Sequence, residues 1–196
     1  MPSPGCSTCK PPARRSPAAS FCCRGCGPER VAASRSSTDW REARVSPDLD
    51  DDLVDAIRSV VAGEPDFVAN CANAAALLFE RLPQVNWAGF YILRGEVLVL
   101  GPFQGRVACV RISLGQGVCG TAAARRETIV VPDVHQFPGH IACDAASRSE
   151  IVVPLLRGDR LLGVLDIDSP VTARFSDADR LLCEQVARLV VDASSD

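Results

Sequence analysis

The sequence predicts an α+β domain built on an antiparallel sheet. Two segments with helical apolar spacing open the folded region, one more closes it, and five or six short, mostly hairpin-linked strands lie between them. That order, helices on either side of a run of strands, suits an antiparallel sheet with flanking helices better than alternating parallel crossovers. A chain of 196 residues is long enough for one such domain and a tail.

The first 46 residues are rich in Pro, Ser and Arg, show neither a helical nor a strand period, and predict a disordered tail. The folded part, residues 47–196, begins near Pro47. Asp48 and the acids after it suit the positive end of a helix, with Leu49, Leu53, Ile57, Val60 and Val61 on one face and Gly63 as its stop. Asp66 can cap a second helix, Phe67 to Leu82, whose apolar face includes Phe67, Cys71, Ala74, Leu77 and Leu78. Val85 to Leu93 reads as a strand, Arg94-Gly95 as a hairpin turn, and Glu96 to Leu100 as its partner. Arg106 to Ile112 alternates like a strand, Gly117 to Arg126 like a short helix, and Thr128 to Val131 like a strand cut by Pro132. Asp133 to Ser149 is then a long loop, and a loop of that length inside a compact domain is usually functional. Glu150 to Leu156 and Arg160 to Ile167 form a second hairpin through Gly158-Asp159. A last helix, Asp177 to Val191, opens on a capping box of Ser176 and Asp179.

Charge separates the same two regions. Residues 1–46 carry eight Lys/Arg against three Asp/Glu, and residues 47–196 thirteen Arg against twenty-one acids, giving the net −3. No lysine follows Lys10, so the folded part offers no basic stripe for nucleic acid. No apolar run reaches membrane-spanning length and no secretory signal opens the chain, so a cytoplasmic location is expected. Ten cysteines in such a compartment point to metal, redox or catalytic chemistry more than to structural disulfides.

In the tail, Cys6, Cys9, Cys23 and Cys26 make two C-x2-C pairs at a separation close to that of four-thiolate zinc sites, with Cys22 left over. The stretch from Lys10 to Phe21 has little with which to form the strands of a zinc ribbon. The expectation is therefore a tail without metal, with zinc and a targeting leader as the lesser alternatives.

Cys109, Cys119 and Cys143 instead sit in Gly-rich, turn-bearing sequence, as the thiols of a redox site do, and Cys143 lies in the small-residue loop that runs into Glu150. The bland alternative is that a free cysteine simply fills the core, and it is preferred for Cys71 and Cys183, which ride on helices. Asp166 and Asp168, two apart on one strand, point to one face. Glu150 opens the neighbouring strand, and clustered acids raise one another's pKa, which lets one of them act as a proton donor near neutrality, with Glu150 and Asp168 as the candidates. Trp87 offers an apolar wall, although aromatics in a strand are more often core. His135 and His140 flank the loop, where they could lower a thiol pKa or only shape the turn.

Val85 to Tyr91 (VNWAGFY), Gly101 to Val110 (GPFQGRVACV), Gly115 to Gly120 (GQGVCG), Gly139 to Glu150 (GHIACDAASRSE) and Leu165 to Ser169 (LDIDS) occur together and in order. Over about Asp48 to Val191 the chain resembles the free methionine-(R)-sulfoxide reductases, a family of stand-alone GAF domains. The resemblance implies a six-stranded antiparallel sheet with flanking helices, no bound cofactor, and reduction of free methionine-(R)-sulfoxide to methionine by a cysteine thiolate. It also implies a sulfenic acid, an intramolecular disulfide, and regeneration by thioredoxin and NADPH. Carried onto this sequence, it makes Cys143 the attacking cysteine and Cys109 and Cys119 the candidate disulfide partners. Its pocket acids fall at Glu150, Asp166 and Asp168, and its aromatic wall at Trp87 and Tyr91.

A free amino acid differs from a protein residue by its ammonium and carboxylate, so clustered acids suit a site that selects it. Backbone amides of Ile141 to Asp144 are candidates for the carboxylate. Choosing between Cys109 and Cys119 requires distances, and pairing of subunits into a homodimer is left open. The rival function is a non-catalytic GAF module that senses a small molecule or redox state.

Overall fold

The computed structural model describes residues 47–139 and 145–195, all within one unit of the chain, Ser36–Asp196. The tail, with Cys6, Cys9, Cys23 and Cys26, and the loop residues His140 and Cys143 lie outside the described residues.

Helices α1 (Pro47–Val61) and α2 (Phe67–Arg81) open the domain. In α1 the buried residues are Leu53, Val54, Ile57 and Val61, whereas Val60 is 42% exposed. At 100° per residue, Val54 and Val61 turn the buried stripe away from Val60 and leave it at the rim. Asp66 caps α2 by accepting from the Ala69 N–H at 2.8 Å, which satisfies one of the orphan donors of the first turn.

Six strands follow: β1 (Trp87–Arg94), β2 (Val97–Gly105), β3 (Arg111–Ser113), β4 (Ile129–Val131), β5 (Ser149–Arg157) and β6 (Arg160–Ser169). They form one antiparallel sheet in the order β3-β2-β1-β6-β5-β4. Helix α3 (Gly117–Arg125) links β3 to β4, and α4 (Asp177–Ala193) closes the domain behind the Ser176–Asp179 capping box. The hairpin turns fall at Gly95-Glu96 and Gly158-Asp159, with the leading glycines at φ +64 and +56. Glycine in the first turn position is what a two-residue turn matched to strand twist requires, so the first turn lies one residue later than Arg94-Gly95.

Two differences from expectation concern β2 and β3. Strand β2 continues past Leu100 to Gly105, through Pro102, because the pairing with β1 shifts by one residue between Gly89 and Tyr91. Pro102 sits in that irregularity, where a missing N–H breaks no regular ladder bond. The strand expected from Arg106 to Ile112 is reduced to Arg111–Ser113, and Val107 and Val110 are 87% and 64% exposed. Their alternation in the sequence does not reflect a buried face.

The sheet has two buried faces. Ala88, Phe90, Ile151, Val153, Leu155, Leu165 and Ile167 pack against α1, α2 and α4. Trp87, Tyr91, Val152 and Val164, the intervening residues, pack against Val118, Cys119, Ala122 and Ala123 of α3. The strict alternation follows from the two-residue period of a strand. Each large apolar side chain so buried contributes roughly 1.5–3 kcal/mol relative to exposure.

Gly89 lies beneath the Trp87 ring. A Cβ there would meet Phe103 Cβ, stand 2.6 Å from Trp87 Cη2 and 2.9 Å from Phe103 Cα. Gly89→Ala is therefore expected to destabilise the domain by about 1–3 kcal/mol through overpacking. The change should appear as a lower urea midpoint and altered emission of Trp87 in a Trp40→Phe background.

Candidate active site

Strand β6 lies between β1 and β5, and the register brings the polar residues of three strands onto one face. Trp87 is opposite Asp168, Gly89 opposite Asp166, and Glu150 opposite Asp168. Helix α3 covers this patch and adds Cys119. The segment between β2 and β3 covers the other side with Val107, Ala108 and Cys109. Together Trp87, Tyr91, Cys119, Glu150, Asp166 and Asp168 line a cavity of about 30 Å³ beneath Val107 and Ala108.

Two aromatic side chains hold the covering segment in the absence of a sheet ladder. Trp87 Nε1 donates to Arg106 O and the Tyr91 hydroxyl to Cys109 O, both at 3.0 Å. The Trp87 ring is stacked between Phe103 and Tyr91, with centroids 5.4 and 6.0 Å away. Each ring thus presents an apolar face and uses its polar atom to anchor backbone. The far end of the long loop is fixed as well. Ser147 Oγ accepts from Asn86 Nδ2 at 3.1 Å, and Arg148 N donates to Ser169 O at 2.7 Å.

The acids are enclosed. Glu150 and Asp166 are each 6% exposed and Cys119 4%, whereas Asp168 is half-buried. Cys119 Sγ donates to Glu150 Oε1 at 3.8 Å. Burial, and then the charges of Asp166 and Asp168, push the Glu150 carboxyl well above the usual carboxylate range. Burial pushes Asp166 up to about 7, against hydrogen bonds from Cys119 and Glu150 that favour its ionised form. The pair thus retains a proton near neutrality, and the hydrogen bonds from Cys119 and Glu150 favour Asp166 as its ionised member. Burial, followed by the charges of Asp166 and Glu150, pushes the Cys119 thiol well above its ordinary value. Burial and the same acids raise the Tyr91 phenol.

The thiols separate by environment. Cys109 is disulfide-bonded and half-buried. Cys71, Cys119 and Cys183 are free, so its partner is none of the other described cysteines. Cys71 and Cys183 are fully buried in the helix-facing core, and burial pushes Cys71 up to about 12. They are packing residues, as their helical positions suggest. His135 is exposed in a short 3-10 turn, Val134–Gln136, where its backbone N–H donates to Asp133 Oδ1.

The site therefore brings together Trp87, Tyr91, Cys119, Glu150, Asp166 and Asp168, with Cys109 on the covering segment that Tyr91 anchors. Val107, Ala108, Gln116 and Ser147 also line the cavity and were not anticipated. Nothing in their residue types distinguishes them from ordinary turn residues.

The GAF domain family matches residues 23–193. The chain belongs to the GAF family. It is 59% identical over 128 residues to the free methionine-R-sulfoxide reductase of Escherichia coli K12, covering 65% of this chain and 78% of that protein. The protein of the same name from Saccharomyces cerevisiae is 46% identical over 136 residues, covering 65% and 76%. The X-ray structure of free methionine-R-sulfoxide reductase from Neisseria meningitidis in complex with its substrate superposes with a TM-score of 0.72 at 45% identity, covering 76% of this chain and 92% of that one. The six-stranded antiparallel sheet with its flanking helices is the GAF fold.

A carboxyl whose folded pKa is raised stabilises the fold fully below its unfolded pKa, and that contribution is lost as pH rises through the folded value. Asp166, at about 7 in the fold against 3.8 as the ordinary value, places this loss between about pH 4 and 7. Asp166→Asn should flatten the decline in urea stability over that interval and leave the variant more stable than the parent above it.

Proposed function

We infer that the chain is an oxidoreductase that reduces free methionine-(R)-sulfoxide to methionine. The observation that carries this reading is the Glu150–Asp166 pair. One carboxyl of the pair is kept protonated inside a closed pocket that also holds an aromatic wall and sits beneath the segment bearing Cys109. The names of the relatives and the substrate complex of one of them support it.

In the proposed reaction Cys143, as thiolate, attacks the sulfoxide sulfur. The S–O bond breaks as the oxygen passes to the cysteine sulfur, giving methionine and a sulfenic acid, and a proton from the Glu150–Asp166 pair meets the oxygen as it develops charge. The Cys109 thiol then condenses with the sulfenic acid, releasing water and forming a disulfide. The disulfide state of Cys109 and the free, proton-bearing state of Cys119 favour Cys109 for this step. A dithiol reductant of the thioredoxin type, supplied by NADPH, restores both thiols. Asp168 and ionised Asp166 receive the substrate ammonium, and Trp87 and Tyr91 receive its methyl-sulfur end. Among the described residues no helix is long and apolar enough to cross a membrane. The proposed setting is the cytoplasm, where such a reductant is available. A sensor that only bound a ligand would gain nothing from a carboxyl held in its acid form.

Coupled turnover of free methionine-(R)-sulfoxide tests the whole reading. Cys143→Ser should give no methionine even in a single turnover. Cys109→Ser should give about one equivalent and then stop, because the sulfenic acid is no longer cleared. A full burst from Cys143→Ser would assign the nucleophile elsewhere. For the acid, kcat/KM should fall as pH rises through the titration of the pair. Glu150→Gln should lower it by about 10²- to 10⁴-fold and lose that alkaline limb, since an amide cannot release the proton.

A further inference from the structure

Cys119 is left over by the proposed reaction, yet it is buried in the pocket among the acids. Its Sγ and one carboxylate oxygen each from Glu150 and Asp166 all lie within 4.8 Å of one another. The three come from α3, β5 and β6, so the sheet and the helix packed on it fix their separation. Asp166 Oδ1 is buried and has no hydrogen-bond partner among the described residues. A buried carboxylate oxygen with no donor is uncommon, because it carries its full desolvation cost.

We propose that Cys119, Glu150 and Asp166 form a binding site for a thiophilic divalent cation such as Zn²⁺. One thiolate and two carboxylates are a donor set that zinc accepts, whereas the sulfur and the tight enclosure disfavour Mg²⁺ and Ca²⁺, which need six or more oxygens including water. Ligands around tetrahedral zinc stand about 3.3–3.8 Å apart. The Cys119–Glu150 distance of 3.8 Å already meets that spacing. A cavity of about 30 Å³ leaves room for a water as fourth ligand. Binding releases the Cys119 proton and the proton held by the acids, so that two protons are exchanged for one divalent ion and the net charge of the enclosed set is unchanged. Cys119 is outside the Cys109 disulfide, so the donor set persists in the oxidised chain. The ion is an exchangeable occupant that takes the position of the substrate's ammonium, and that last consequence alone rests on the function proposed above.

The test uses the full chain with its Cys109 disulfide intact and with Cys6, Cys9, Cys22, Cys23 and Cys26 replaced by serine, so that tail thiols do not contribute. Co²⁺ alone is titrated, followed by Zn²⁺. The expected result is about one equivalent of Co²⁺ with a thiolate-to-metal charge-transfer band that Zn²⁺ abolishes. Cys119→Ser should remove the band, and Asp166→Asn should weaken binding at least about tenfold, the loss of one anionic ligand. Absence of the band in the parent overturns the proposal. So does its persistence in a Cys119→Ser chain whose cooperative urea unfolding shows it folded. Turnover of methionine-(R)-sulfoxide by the reduced parent is measured in parallel. Turnover without a band removes the metal site alone, and a band without turnover removes the reductase reading alone.

Discussion

Two carboxyl groups cannot both stay ionised in a pocket walled by β1, β5, β6 and α3. Glu150 and Asp166 are nearly inaccessible, and each would carry a charge desolvation cost of several kcal/mol if ionised alone. Among the described residues the cavity lining includes no Arg, Lys or His to compensate them. A shared proton is what remains, and the hydrogen bonds from Cys119 and Glu150 favour Asp166 as the ionised member of the pair. Burial, and then the charges of the same acids, keep Cys119 and Tyr91 protonated, and their hydrogens point to fixed acceptors, Glu150 and the Cys109 carbonyl. The pocket consequently gathers donor hydrogens in one small volume, of which the one held by the carboxyl pair is the acidic one. A sulfoxide oxygen needs such a hydrogen at the moment its bond to sulfur breaks.

The frame that holds these groups was largely legible in the sequence, because it depends on periods. Helical spacing in α2 and the Asp66 and Ser176 caps follow from side-chain positions that recur within one turn. The two-residue period of β6 put Asp166 and Asp168 on one face, and both line the cavity, while Leu165 and Ile167 lie in the core on the other. Less legible was where local chemistry yields to tertiary pairing. Gly101-Pro102 reads as a strand end, yet β2 passes through it because a shifted register tolerates proline there.

The segment from Arg106 to Val110 shows the opposite error for a related reason. Its alternation resembles a strand, but an edge segment becomes a strand only if a partner ladder is available. Here β3 pairs with β2 only through Val97–Val99, and Leu100 N reaches Val110 O as a single further bond. The remaining backbone is held by Trp87 and Tyr91, an interaction between side chains and backbone far away in sequence that no local period records. A cysteine in such a segment can approach the pocket without belonging to the sheet. For Cys109 this separates the demands of the proposed redox step from those of the core.

The free thiols show why residue type alone underdetermines role. Cys71 and Cys119 are both buried and free, and both have their ionisation suppressed, first by burial. Cys71 is surrounded by apolar helix and sheet residues, so its sulfur functions as a small hydrophobe. Cys119 has apolar neighbours on α3 but carboxylates opposite, so its hydrogen has acceptors and its sulfur has potential co-ligands. What separates them is the face of the sheet each helix covers. Helix α2 packs on the face that presents Ala88 and Phe90, whereas α3 covers the face on which β5 and β6 place their acids. The chemistry available to each cysteine is therefore set by strand register on the other side of the interface, which the cysteine's own sequence neighbours do not encode.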